Sequence, residues 1–166
     1  AAVVVVLPMV VSGIVYVLQP AESEMPKAKV TVVQPNFEPY TEKYTAPREA
    51  QDMIMLSLAG EAPSDVDFIV LPETVLGDIS SSEWIWEESP LSSEVMTRYN
   101  DFMATRYPEA EMVVGAMTSR RYVSDSRPTR TARKLGIHWL DRYNTAFRLN
   151  GTDTLARHHK SKLVIG

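Results

Sequence analysis

The chain has 166 residues and a formal net charge of −4, with 45% hydrophobic and 23% charged residues. This composition is typical of a folded domain with its own core and excludes a disordered chain. The negative charge argues against nucleic acid as a partner, and the absence of cysteine excludes disulfide bonds and thiolate metal sites within these residues.

Residues 1–18 are uncharged and almost wholly apolar. As a helix they would be about 27 Å long, close to the roughly 30 Å hydrocarbon core of a bilayer. They predict a transmembrane helix that lacks its first residues, followed by a polar linker at 19–28. Two buried strands are the alternative, since valine favours strands. The missing initiator methionine and the apolar ending "KLVIG" indicate a fragment.

Residues 29–166 alternate between strand and helix patterns. Two helices are predicted from apolar positions at helical spacing, at 47–58 with Gly60 as its stop and at 92–107. Strands are predicted from short apolar runs bounded by turn residues, at 29–34, 67–71, 112–117, 143–149 and 154–159. The last two flank "NGTD", a strong hairpin signal. The order β-α-β-α-β-β-β predicts an α/β fold, with helices packed on a sheet that is parallel early and antiparallel late.

Glu73 directly follows the second predicted strand, in "VLPETVL". In open α/β sheets, sites form outside the carboxyl ends of strands. A carboxylate that apolar neighbours partly shield there can act as a general base or acid. The alternative is a solvated loop glutamate, which is the commoner state of a lone Pro-Glu pair.

Lys160 lies at the end of the predicted hairpin, where its ammonium could stabilise a developing oxyanion or simply point into water. His158 and His159 are adjacent and leave opposite faces of a strand. With one other histidine and no HExxH spacing, no metal site is expected. No Gly-rich phosphate loop and no G-x-S-x-G elbow is present, and no cofactor is expected.

Five segments occur in one order: "VTVVQPN", "VLPETVL", "VVGAM", "RYNTAFRLN" and "HHKSKLV". Together they cover residues 29–166 and resemble the nitrilase (carbon–nitrogen hydrolase) superfamily, more narrowly the extracytoplasmic domain of the apolipoprotein N-acyltransferase family. The resemblance implies the N-terminal part of a nitrilase-like α-β-β-α sandwich, preceded by a transmembrane helix. It also implies a bacterial inner-membrane protein with this domain on the periplasmic side.

The same resemblance implies a Glu-Lys-Cys triad, in which Glu73 is the general base and Lys160 holds the oxyanion. The family cysteine lies further along than these residues reach, so the 166-residue chain itself is expected to be inactive. The implied acyl donor is a phospholipid, and the acceptor is the N-terminal cysteine of an apolipoprotein. The residues at three positions differ from the commoner family motif, which indicates a sub-branch of the family: Lys162, Ile165 and Gly166.

Two alternatives share these residues. A soluble carbon–nitrogen hydrolase (an amidase or nitrilase) would use the same triad, and only the membrane segment argues against it. A membrane-anchored domain without the cysteine would bind a partner instead.

Lys160 and Lys162 leave the same face of an extended segment, so alternation does not choose between them, whereas the family pattern assigns Lys160 to the triad.

Two further features leave their roles open. Trp84 and Trp86 suit either a membrane interface or a small local core. Residues 120–134 hold six basic residues against one acidic. They suit either a solvated loop, within a polar connection at 119–134, or a contact for anionic lipid headgroups.

Overall fold

The computed structural model describes residues 2–19, 25–37, 47–77, 84–124 and 126–161. Over these residues the chain forms three α-helices: α1 (Ala2–Leu18), α2 (Arg48–Ala59) and α3 (Glu94–Arg106). Its strands are β1 (Val30–Val32), β2 (Phe68–Val70), β3 (Ile85–Trp86), β4 (Glu111–Tyr122), β5 (Arg133–Leu135), β6 (His138–Leu149) and β7 (Thr154–His159). A 3₁₀ turn at Pro90–Ser92 leads into α3.

All the described strands belong to one mixed sheet with the order β1-β2-β4-β6-β5, in which β3 also pairs with β4 and β7 with β6. The strands β1, β2 and β3 run parallel to their neighbours, while β6 is antiparallel to β4, β5 and β7. The predicted change from parallel to antiparallel pairing is therefore confirmed, as is the hairpin around "NGTD".

The core lies between one face of this sheet and the helices α2 and α3. Alternate strand residues point into it, such as Ile69, Val114 and Phe147, all nearly or fully inaccessible. The two helices also contact each other through Asp52, which accepts a hydrogen bond from the Tyr99 hydroxyl at 3.1 Å. Burial, together with this carboxylate, raises the pKa of Tyr99. The predicted helices at 47–58 and 92–107 are thus confirmed within a few residues.

The predicted transmembrane helix is wrong, although its residues are helical. The helix α1 has 17 residues and contains Pro8. Among the described residues, no helix is long and apolar enough to cross a membrane. The expected α-β-β-α sandwich with a preceding span is therefore replaced, over the described residues, by helices on one mixed sheet.

The predicted polar connection at 119–134 is also wrong at both ends. The strand β4 continues to Tyr122, five residues beyond the predicted end, and β5 begins at Arg133. The cause is the long ladder between β4 and β6, which runs from Met112 opposite Leu149 to Tyr122 opposite Trp139. Backbone pairing with a neighbouring strand overrides the weak β-propensity of this polar stretch. Half of the predicted linker at 19–28, residues 20–24, lies outside the described residues, and so does Lys162.

Asp141 fastens the segment between β4 and β5 to the sheet. Its carboxylate is 1% exposed and accepts hydrogen bonds from the hydroxyls of Thr129 at 2.7 Å, Thr131 at 2.8 Å and Tyr122 at 3.1 Å. Burial alone would raise the pKa of Asp141, but these hydrogen bonds outweigh it and hold the pKa below the ordinary value of 3.8. The segment between β4 and β5 is therefore held against the sheet by an ionised buried carboxylate.

Asp141→Asn is expected to destabilise the protein near neutral pH by about 1.5–3 kcal/mol, the usual contribution of hydrogen bonds to a charged group. Because the folded pKa is depressed, the stabilisation is present well above pH 3.8 and is lost as the pH falls below that value. Urea denaturation of both proteins at about pH 7 and about pH 2.5 measures this difference. An equal gap at the two pH values would contradict the assignment to the carboxylate charge.

Candidate active site

Glu73 lies in a short turn at residues 72–74, the Glu73 turn, between two contacts with β4. The Leu71 amide donates to the Val113 carbonyl at 2.8 Å, and the Val75 and Leu76 amides then donate to the Gly115 carbonyl at 2.9 and 3.0 Å. Between them Pro72 supplies no amide donor, while its carbonyl accepts a hydrogen bond from the Gly115 amide at 3.3 Å, so the pairing with β4 is irregular at this point. Glu73 therefore lies over the sheet at the carboxyl end of β2, and its side chain is 66% exposed.

Gly115 leaves room for the Glu73 turn. A Cβ at position 115 would lie 2.5 Å from the Glu73 Cα, 2.7 Å from the Pro72 carbonyl oxygen and 2.7 Å from the Thr74 amide nitrogen. All three are backbone atoms, which cannot swing aside as a flexible side chain can. The glycine of "VVGAM" is thus needed because the Glu73 turn rests directly on the β4 backbone.

Thr74, directly after Glu73, has a φ of +59°. For a β-branched residue this left-handed conformation is a true outlier, and it costs about 1–3 kcal/mol. Asn144 on β6 braces the strained turn, since its amide donates to the Thr74 hydroxyl and to Glu73 Oε2, both at 3.4 Å. The strained backbone lies at the same place as the candidate base.

Lys160 meets Glu73 across the face of the sheet. Its ammonium donates to Glu73 Oε2 at 2.9 Å, and its side chain is 35% exposed. The Lys160 backbone amide donates to the Asn144 carbonyl at 2.8 Å, which continues the β6–β7 pairing past the last strand residue. An ammonium has three N–H donors, so those that do not bind Glu73 can bind a substrate oxygen.

A buried polar cluster on the opposite face holds β7 against the sheet. Glu87 is 5% exposed and pairs with Arg157 and His159, each at 3.2 Å. Thr118 donates to the same carboxylate, while the His159 ring contacts the Thr145 hydroxyl at 3.0 Å. Because β7 leads directly into Lys160, this cluster fixes the strand end that presents the lysine to Glu73.

A cavity of about 400 Å³ lies beside the Glu73–Lys160 pair. Its wall includes the apolar Leu71, Val113 and Ala146 and, next to Lys160, the imidazole-bearing His158. A pocket with apolar walls and a few convergent polar groups is the usual form of a small-molecule site. Among the described residues, no group of three or more His, Asp or Glu side chains could hold a metal ion.

The structure brings together the two residues singled out from the sequence, Glu73 and Lys160. Sequence reasoning missed Asn144 and His158 as site residues. Both could have been found from the hairpin, because the Lys160 amide bonds to the Asn144 carbonyl and His158 is two residues earlier on the same strand face. His159 points the other way, towards Glu87, as the predicted alternation requires.

Comparison with protein-family models gives no match for this chain. A search of curated proteins likewise finds no relative at a significant level of similarity. The resemblance to the nitrilase superfamily therefore stays a prediction that depends on the quoted motifs.

Proposed function

We propose that the domain contributes the general base and the oxyanion-binding cation to a cysteine-dependent acyl transfer of the nitrilase type. The observation that carries the proposal is the 2.9 Å contact between Lys160 Nζ and Glu73 Oε2, two residues 87 positions apart. The sequence motifs by themselves predict both residues as catalytic. The neighbouring cavity and the strained Thr74 further support a site at this point, since backbone strain clusters at functional sites.

In this reaction a cysteine thiol gives its proton to Glu73, and the thiolate attacks the carbonyl carbon of an acyl donor. The carbonyl oxygen becomes an oxyanion that Lys160 stabilises. The bond to the leaving group then breaks, and Glu73 returns the proton to that group, which leaves a thioester. An acceptor amine next loses its proton to Glu73, attacks the thioester and releases the cysteine, which takes the proton back. The chain contains no cysteine, so the nucleophile must come from outside these 166 residues.

The donor and acceptor proposed from the resemblance are a phospholipid and the N-terminal cysteine amine of an apolipoprotein. Such a donor would place the reaction at a membrane surface, and the resemblance implies the periplasmic side of a bacterial inner membrane. The apolar walls of the cavity beside Glu73 suit an acyl chain. With water as the acceptor, the same residues would serve a carbon–nitrogen hydrolase.

We expect the 166-residue chain, incubated with phospholipid that carries a labelled acyl group, to form no covalent adduct, because it has no cysteine. A longer protein that carries this chain and a cysteine should form a hydroxylamine-labile thioester. Glu73→Gln in that protein should lower its rate of formation by about 10²–10⁴-fold, the usual contribution of general acid–base catalysis.

The acceptor is identified in the same assay. Transfer of the label to a peptide with an N-terminal cysteine supports the acyltransferase, whereas release as free acid, together with turnover of simple amides, supports the hydrolase. A cysteine-containing protein that forms no adduct with either donor would leave only a non-catalytic binding domain. A labile adduct on the 166-residue chain itself would refute the proposed chemistry.

A further inference from the structure

Two tryptophans and two arginines form a continuous stack on the sheet. The Arg142 guanidinium carbon lies 4.9 Å from the centre of the Trp84 ring, and the Arg121 guanidinium carbon lies 5.2 Å from that of Trp86. The two indoles are stacked on each other, with centres 5.6 Å apart and planes 11° from parallel. These four side chains, the Trp–Arg stack, are neither a small buried core nor an isolated exposed aromatic pair.

The stack begins next to the candidate active site. Arg142 is two residues from Asn144 on β6, so both leave the same face of the sheet, about 7 Å apart along the strand. Asn144 in turn contacts Glu73 at 3.4 Å. Trp86 lies opposite Ser119, which lies opposite Arg142, so the stack occupies neighbouring strands at this level of the sheet.

Arg142 is exposed, and among the described residues it has no carboxylate partner. Some other arginines of the sheet are paired, Arg120 with Glu88 at 3.9 Å and Arg148 with Glu111 at 3.2 Å, and Arg121 lies at the far end of the stack from Asn144. A guanidinium that stacks on an indole keeps its N–H donors in the plane of the group, pointing outwards. Those donors match the oxygens of a phosphate or carboxylate in a bidentate way.

We propose that Arg142, held by Trp84, is a binding subsite for a phosphate-ester group on the molecule whose carbonyl reacts between Glu73 and Lys160. The step of about 7 Å along β6 is short enough for a glycerol-sized unit to bridge. A phosphate ester offers more acceptor oxygens than a carboxylate, and the half-buried indoles supply apolar surface beside it. The role as a substrate subsite rests on the proposed function, whereas anion binding itself does not.

The test is calorimetric titration of glycerol 3-phosphate into the 166-residue chain. Arg142→Gln should weaken binding by about tenfold or more, the order of magnitude expected for a lost charge-assisted hydrogen bond. Arg142→Lys, which keeps the charge, should retain part of the affinity. Arg121→Gln is the matched control at the far end of the same stack and should bind as the wild type does. Equal binding by wild type and Arg142→Gln would overturn the proposal.

Titration of three further compounds identifies which chemical group the subsite binds. Inorganic phosphate and acetate should both bind more weakly than glycerol 3-phosphate, and glycerol should not bind. Inorganic phosphate bound as tightly as the ester would overturn the substrate subsite and leave a free-phosphate site. If the cysteine-containing protein forms no acyl adduct while Arg142-dependent binding persists, the proposed function fails and the anion site stands. Adduct formation without phosphate binding would leave the function and remove the subsite.

Discussion

Lys160→Ala is expected to lower the rate of acyl transfer by about 10²–10³-fold, the usual cost of losing one oxyanion donor. The loss has two physical sources. The developing oxyanion loses its cation, and Glu73 loses the ammonium that it contacts at 2.9 Å. A neighbouring cation favours the ionised carboxylate, which is the form that a base needs. The rate of thioester formation in the cysteine-containing protein measures this effect.

Two matched variants separate this effect from a general loss of positive charge. Lys134→Ala removes an exposed lysine from the edge strand β5, away from Glu73, and should keep the full rate. Lys162→His should also be tolerated, because both residues can donate a hydrogen bond. Growth of a strain depleted of its own N-acyltransferase provides a second measurement. Rescue by Lys160→Ala together with failure of Lys162→His would show that the catalytic lysine is wrongly assigned.

Five strands of the sheet could be predicted from the sequence because their signals are local, whereas the short strands β3 and β5 were missed. "NGTD" fixes the hairpin, the hairpin fixes the pairing of β6 with β7, and that pairing sets the place of Lys160 beside Asn144. The end of β2 is likewise marked by Pro72, which puts Glu73 at the carboxyl edge of the strand. The contact between Glu73 and Lys160 therefore follows from two local signals and the parallel order of β2 and β4.

The remaining features depend on contacts that no local pattern encodes. The length of β4 is set by its partner β6, so its polar second half does not read as a strand. The Trp–Arg stack joins β3, β4 and β6, which are distant in sequence. For α1, apolar composition does not fix where the helix ends, and no helix of the described residues is long and apolar enough to cross a membrane.

Gly115→Ala is expected to be the most damaging single-methyl change in the sheet. The added Cβ would lie 2.5 Å from the Glu73 Cα. Overpacking of this kind costs about 1–3 kcal/mol and sometimes more. Because the atoms that must move belong to the Glu73 turn, the carboxylate should also leave its place beside Lys160. A displacement of about 1 Å at a catalytic group can cost about 10²-fold in rate.

The matched control is Gly13→Ala, the same chemical change in the helix α1. Apart from its two chain neighbours and the backbone of its own helix, nothing lies within 4 Å of a Cβ built there, so nothing has to move. Alanine in a helix interior is favoured over glycine by about 0.5–1 kcal/mol, so this variant should be as stable as the wild type or slightly more so.

Urea denaturation measures stability, and thioester formation is measured at a temperature where both variants remain folded. If Gly115→Ala kept the wild-type stability and rate, the Glu73 turn could not rest on β4 as described. A folded but slow Gly115→Ala protein would instead separate the positioning of Glu73 from the stability of the sheet, since the remaining loss of rate could come only from the displaced carboxylate.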